Sequence, residues 1–249
     1  RMSEKELLIL MTAGMSTVSG SIMIALVSML SPQFPDINLI QHLVSASILS
    51  IPAAIMYANI MIPSSKITNF DGSSVPKVYD SSMDAITRGT RDGLEICLNV
   101  AAILIAFIAL VSLLNSILGI AGNWIGLNDL SLQLILGYIF FPIVWLMGLP
   151  TSEALVGAEL LGLKTALNEF VAYGALANIE PDLLSDKSKL IILYGLCGFA
   201  NFSSVGILVT GISAMAPERK NDLIKVSLKA LIGATLASCM TGLVIGLLI

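Results

Sequence analysis

The sequence predicts an all-α integral membrane protein whose transmembrane helices include broken helices and one re-entrant helical hairpin. Three observations predict it. Mean hydropathy is +0.90, and hydrophobic residues make up 56 % of the 249 residues. Charged residues make up only 12 %, where a soluble domain carries about a quarter. Several apolar runs also reach the length of about 20 residues that a helix needs to cross a bilayer. Lipid offers no partner to an unpaired backbone group, so such runs are read as helices. The net charge of −4 and the lack of a basic run argue against nucleic acid. Cys97, Cys197 and Cys239 have scattered spacing and read as packing thiols. No nucleotide loop, zinc motif or nucleophile–base pair is present, so an enzyme is not expected.

The first apolar run, residues 7–30, contains the small polar stretch Thr17-Val18-Ser19-Gly20-Ser21 and ends at Ser31-Pro32. That stretch predicts either a helix break offering oxygens to a hard cation or close helix packing. The second run is 39–62, with Pro52 inside and Pro63 closing it. Residues 64–92 are polar, and 81–95 predict an interfacial helix. Residues 94–120 form an ordinary span, and 121–131 a polar connector with Trp124 and Asp129. A Trp at that place suits an interfacial anchor.

Residues 132–163 are apolar to Met147, break at Gly148-Leu149-Pro150-Thr151-Ser152-Glu153, then resume. Each half is too short to span, which predicts a re-entrant hairpin with Ser152 as the N-cap of its second helix. A half-length helix follows over 164–177, then a charged loop over 179–187. Residues 190–215 span, interrupted at Asn201–Ser204; 217–222 form a hydrophilic turn, and 223–249 the last span. If the long polar loop is cytoplasmic, Lys and Arg follow the positive-inside rule. Arg1, Lys5, Lys66, Lys77, Arg88, Arg91, Arg219, Lys220, Lys225 and Lys229 then lie inside, and Lys164, Lys187 and Lys189 outside. This places the C-terminus outside a cell inner (plasma) membrane crossed several times. No signal-peptide pattern opens the chain, and the early apolar run predicts further sequence upstream.

Two polar interruptions carry the functional reading. Glu169, in Asn168-Glu169-Phe170-Val171-Ala172, puts a carboxylate at membrane depth, where it costs about 3 kcal/mol and marks a functional position. It reads as an acceptor for a hydroxylated or cationic solute, or as a proton carrier; the structural alternative is a pair with Lys164. The second interruption, Phe199-Ala200-Asn201-Phe202-Ser203-Ser204, follows Gly195 and Gly198. An unwound turn there presents carbonyls and hydroxyls to a ligand, as broken transporter helices do; small-residue packing is the alternative. Phe199 reads as a wall for an apolar part of a ligand or as packing. Glu153 reads as a solute contact or a helix cap, while Glu159 and His42 receive no role.

These motifs resemble the concentrative nucleoside transporters. The resemblance rests on Gly162-Leu163-Lys164 leading to Asn168-Glu169-Phe170-Val171-Ala172-Tyr173, on Cys197-Gly198-Phe199-Ala200-Asn201-Phe202-Ser203-Ser204-Val205-Gly206, and on Met15-Ser16-Thr17-Val18-Ser19-Gly20-Ser21. Ser50-Ile51-Pro52-Ala53-Ala54, Leu146-Met147-Gly148-Leu149-Pro150 and Ser213-Ala214-Met215-Ala216-Pro217 support it in chain order. The resemblance implies a homotrimer in the lipid bilayer that takes up uridine-like nucleosides with sodium, the proton being the alternative ion, by an elevator-type motion. A nucleoside-binding receptor or channel without pumping is the alternative from another class. By the same resemblance, residues 1–62 and 132–249 would form the moving transport domain. Residues 63–93 would be a cytoplasmic loop and interfacial helix, and 94–131 the scaffold span and connector. Glu169, Asn201 and Ser204 would hold the ribose hydroxyls, with Phe199 beside the nucleoside. Ser21 and the Ile22 carbonyl would help hold the cation; no organic cofactor is implied. The family's base-reading Gly-Gln-Ser/Thr-Glu motif has no match, since no Gly-Gln pair occurs. The chain is therefore read as the C-terminal portion of such a transporter.

Overall fold

In a computed structural model the protein is helical, and residues 2–35, 37–63, 80–124, 126–127 and 130–249 are described. Arg1, Lys66, Lys77 and Asp129, and most of the polar stretch after Pro63, lie outside them. Among the described residues, four helical stretches are long and apolar enough to cross a membrane: Glu4–Leu30, Leu39–Met61, Ser82–Trp124 and Pro217–Leu248.

The first stretch is two helices, α1 (Glu4–Ser16) and α2 (Gly20–Leu30), with an extended Thr17 and Ser19 between them. The start of α1 is set by Ser3 and Glu6, which form a reciprocal capping box. Next comes α3 (Leu39–Met61), capped by the Asn38 side chain on Gln41 N–H and carrying Pro52 inside it.

The predicted interfacial helix and the span after it prove to be one element, α4 (Ser82–Trp124), of 43 residues. No proline falls within it, so nothing forces a stop where the composition turns from polar to apolar. The Ser81 hydroxyl accepts from Asp84 N–H at 3.1 Å, and Asp84 pairs with Arg88 one turn on at 2.7 Å. Both favour a start in the polar part. Trp124 ends the helix and is exposed.

Where a re-entrant hairpin is expected, two packed helices form a helical hairpin, α5 (Leu132–Leu146) and α6 (Thr151–Ala166). Two details differ from expectation. Ser152 is not a cap; Pro150 holds the N-cap position with φ −58° and no side-chain bond. Gly148, at φ +105°, makes the turn, a conformation natural to glycine. The second arm also runs on to Ala166 and takes in Lys164. The arms approach closely: a Cβ on Gly162 would lie 2.7 Å from the Gln133 carbonyl and 3.1 Å from Gly137 N, as small residues permit in membrane packing. Gly162→Ala is therefore expected to cost about 1–3 kcal/mol by overpacking, read as a lower melting temperature of the purified protein.

Four further differences concern where helices begin and break. The next half-helix, α7 (Glu169–Ala177), starts after Asn168 rather than at Lys164. The predicted charged loop contains a short 3-10 turn, Pro181–Leu183, and α8 (Asp186–Leu196) already begins within it, capped by Ser185. The chain breaks over residues 197–201, ahead of the expected point, and Ser203 and Ser204 lie in the first turn of α9 (Phe202–Met215). Pro217–Arg219 form a 3-10 turn, and α10 (Lys220–Leu248) begins inside the expected hydrophilic turn.

The helix α10 packs against α1, α3 and α8, while α4 meets α9 and α5. One core joins α2, α3, the hairpin, α7 and α8; a second joins α1, α9 and α10. Along α4, Ile105, Leu113 and Ile117 are exposed, consistent with a lipid-facing or partner-facing surface. Lys164 is fully buried, so it is not the loop cation that the charge count took it for. Lys189 is buried too, 3.6 Å from Asp186, so of the three cations counted on that side only Lys187 is exposed.

Candidate functional site

Asn168 and Asn201 do the same local work. Each is extended, and each side chain caps the half-helix that follows it. Asn168 Oδ1 accepts from Val171 N–H at 2.9 Å, and Asn201 Oδ1 from Ser204 N–H at 2.8 Å. Capping satisfies one of the N–H groups that a helix start leaves without partners. Glu169 is thereby fixed as the first residue of α7, where the helix dipole favours a carboxylate.

The two caps meet. Asn201 Nδ2 donates to Glu169 Oε2 at 3.0 Å. Asn201 Oδ1 also accepts from the hydroxyls of Ser203 at 2.7 Å and Ser204 at 2.8 Å. Glu169 is 3 % exposed and Asn201 0 %. Among the described residues, Asn201 is the one side chain that donates to the Glu169 carboxylate. A buried carboxylate with unused acceptor capacity suits a hydroxyl donor from a ligand.

These groups open on a cavity of about 250 Å³ lined by Ile22, Ala25, Leu104, Asn168, Glu169, Phe170, Phe199, Asn201, Ser203, Ser204 and Ile207. Its walls come from α2, α4, the start of α7, the break before α9, and α9. One side is polar, and the rest is apolar.

The broken backbones around it are satisfied from neighbouring helices. The Ser50 hydroxyl on α3 donates to the Ser16 carbonyl at 2.7 Å, and Val18 N–H donates to the Ser47 hydroxyl at 3.3 Å. At the end of α8, the Tyr173 hydroxyl donates to the Leu193 carbonyl at 2.8 Å and Lys164 Nζ to the Gly195 carbonyl at 3.1 Å. Gly198 lies at φ +146° where the two breaks cross; a Cβ there would stand 3.0 Å from the Ser16 carbonyl oxygen. Non-helical backbone at membrane depth requires such partners.

Of the residues singled out in the sequence, Glu169, Asn201, Ser204, Phe199 and Ile22 come together at the cavity. Ser21 does not line it; it is exposed, with its hydroxyl 3.3 Å from that of Ser19. Ile22 sits within α2, so helical geometry engages its carbonyl with the residue four positions on. Glu153 accepts from Ser185 N–H at 3.1 Å and from its hydroxyl at 2.9 Å, tying the hairpin to the start of α8. His42 Nδ1 lies 3.0 Å from the Tyr194 hydroxyl. No ion pair joins Lys164 to Glu169 among the described residues. Leu104, Ala25 and Ile207 were not singled out, since nothing distinguishes them from other apolar residues of their helices.

A family model described as the C-terminus of Na+ dependent nucleoside transporters matches residues 42–246. The nucleoside permease NupC of Helicobacter pylori is 35 % identical over 252 residues, covering 100 % of this chain and 59 % of that protein. Human solute carrier family 28 member 3 is 35 % identical over 264 residues, covering 99 % of this chain and 37 % of that protein. An uncharacterised transporter of Haemophilus influenzae is 38 % identical, and the chain spans 60 % of its length. Among solved structures, CNTnw N149L in an intermediate state superposes with a TM-score of 0.84 at 36 % identity, covering 100 % of this chain and 59 % of that one. CNTnw in an inward-facing substrate-bound state gives 0.78 at the same identity, covering 99 % and 58 %. The chain thus spans about three fifths of the bacterial relatives it matches.

Proposed function

Since the chain belongs to the concentrative, sodium-dependent nucleoside transporter family, we propose that it forms the sugar-binding part of a symporter that takes up uridine-like nucleosides down a sodium gradient. The observation that carries this reading is the buried Glu169–Asn201 pair in the lining of a cavity of about 250 Å³. A vicinal diol can donate to the carboxylate and accept from the second N–H of Asn201 Nδ2, the first being given to Glu169. Phe199, on the same wall, offers a flat apolar surface to the rest of the nucleoside. The base would be read by groups that this chain does not supply.

The helix breaks suit a site at membrane depth in a moving unit. In this reading residues 1–62 and 132–249 move against α4 in an elevator-type cycle. Leu104 of α4 then makes the fixed wall of the cavity. The working unit is a homotrimer in the plasma (inner) membrane with its C-terminus outside. The cation would lie near the break between α1 and α2. The non-helical Thr17 and Val18 would offer backbone carbonyls to a hard ion there, whereas Ser21 is exposed and does not line the cavity.

The test is radiolabelled uridine uptake by the full-length protein in proteoliposomes, with sodium and proton gradients imposed separately. Accumulation above equilibrium that follows sodium is expected. Uptake that follows the proton gradient and ignores sodium would replace the ion, and equilibration without accumulation would make the protein a channel or receptor.

A further inference from the structure

Lys164 is a fully buried charge that the ribose reading leaves unused. It lies on α6, five residues before Glu169, with 0 % of its surface exposed. Among the described residues its ammonium has one hydrogen bond, to the Gly195 carbonyl at 3.1 Å. Burying an ammonium is costly unless its surroundings compensate for the lost water. Two features here do so. The last carbonyls of a helix carry partial negative charge, and Gly195 is one residue from the end of α8. Glu169 also starts the next helix, α7, which packs against the end of α6 that carries Lys164.

The geometry links these two features. Lys164 and Tyr173 flank Glu169 in the chain and together hold the end of α8, at Gly195 and Leu193. The chain then leaves α8, passes Gly198 and returns with Asn201 to Glu169 itself. The segment 164–173 therefore grips α8 and the break at three points, with Glu169 in the middle. Loss of one grip lets the α8 end shift, and Asn201 with it.

Resting on the nucleoside reading for its transport readout, we propose that Lys164 is a positioning residue: its ammonium clamps the carbonyl end of α8 and balances the Glu169 carboxylate. In this arrangement it touches neither nucleoside nor cation. It sets where Asn201 stands and offsets the negative charge that the site presents.

The test is a double-mutant cycle on the full-length protein with Lys164→Met, Glu169→Gln and the double variant. It is read by thermal melting and by uridine uptake. Lys164→Met is expected to raise the apparent KM for uridine about tenfold, the scale of one charge-assisted hydrogen bond, with a smaller change in the maximal rate. In melting, the double variant is expected to lose less than the sum of the single losses, because neither charge is then left alone. Additive losses, or an unchanged KM in Lys164→Met, overturn the proposal. Should Lys164→Met fail to fold, a folded double variant supports the proposal and an unfolded one overturns it. If the unmutated protein takes up no uridine, the nucleoside reading fails while the melting cycle still decides the role of Lys164.

Discussion

Replacing Glu169 by glutamine is expected to weaken uridine binding on the order of 100-fold, the scale of a hydrogen bond to a buried charge. The substitution keeps size and shape. Asn201 Nδ2, now 3.0 Å from a carboxylate oxygen, can still donate to the amide oxygen. The cap on α7 is untouched, since Asn168 supplies it. What is lost is the negative charge and acceptor capacity, which in this account belong to the ribose. Isothermal titration of the full-length variant measures the effect. Uridine affinity within about threefold of the unmutated protein, a difference under 1 kcal/mol, would contradict a sugar role for Glu169.

Gly198→Ala is expected to have the largest effect on the fold, about 3 kcal/mol. Two costs combine. An alanine at φ +146° is strained, and its Cβ would stand 2.8 Å from the Ser238 hydroxyl and 3.0 Å from the Ser16 carbonyl oxygen. The Ser16 carbonyl is already held by Ser50, so the methyl pushes on both helix breaks at once. The variant should melt far below the parent and lose uridine binding with it. Gly211→Ala is the control, because a Cβ there meets nothing within 4 Å. Equal melting temperatures for the two variants would show that the crossing of the breaks is not tightly packed.

The spans were legible because hydropathy and length decide them: the α3 bounds match the second apolar run within a residue. The helix breaks were legible because Thr17-Val18-Ser19, Gly148 and Gly198 are poor places for an uninterrupted membrane helix. Cap positions were less so. Both Asn168 and Asn201 are capping residue types, yet the polar clusters around them hid which residue starts each half-helix. Ser152 resembled a cap as well, but Pro150 holds the position.

Tertiary structure supplied the rest. Asn201 reaches Glu169 across 32 residues of sequence, and no local pattern states that distance. Lys164 counted as an outer loop charge because a lysine usually keeps its ammonium in water. Only the free carbonyl at the end of α8, a feature of how a broken helix is placed, gives it a buried partner. The same holds for Leu104, whose cavity wall depends on where α4 passes.

The central claim is that Glu169 and its partners read a sugar hydroxyl. It is tested most directly by measuring the affinities of uridine and 3′-deoxyuridine for the full-length protein and for Glu169→Gln. The unmutated protein should prefer uridine on the order of 100-fold, because the analogue leaves a buried charged group unpaired. Glu169→Gln should bind both alike and weakly. Equal affinities in the unmutated protein, or a preference that survives the loss of the carboxylate, would contradict the claim.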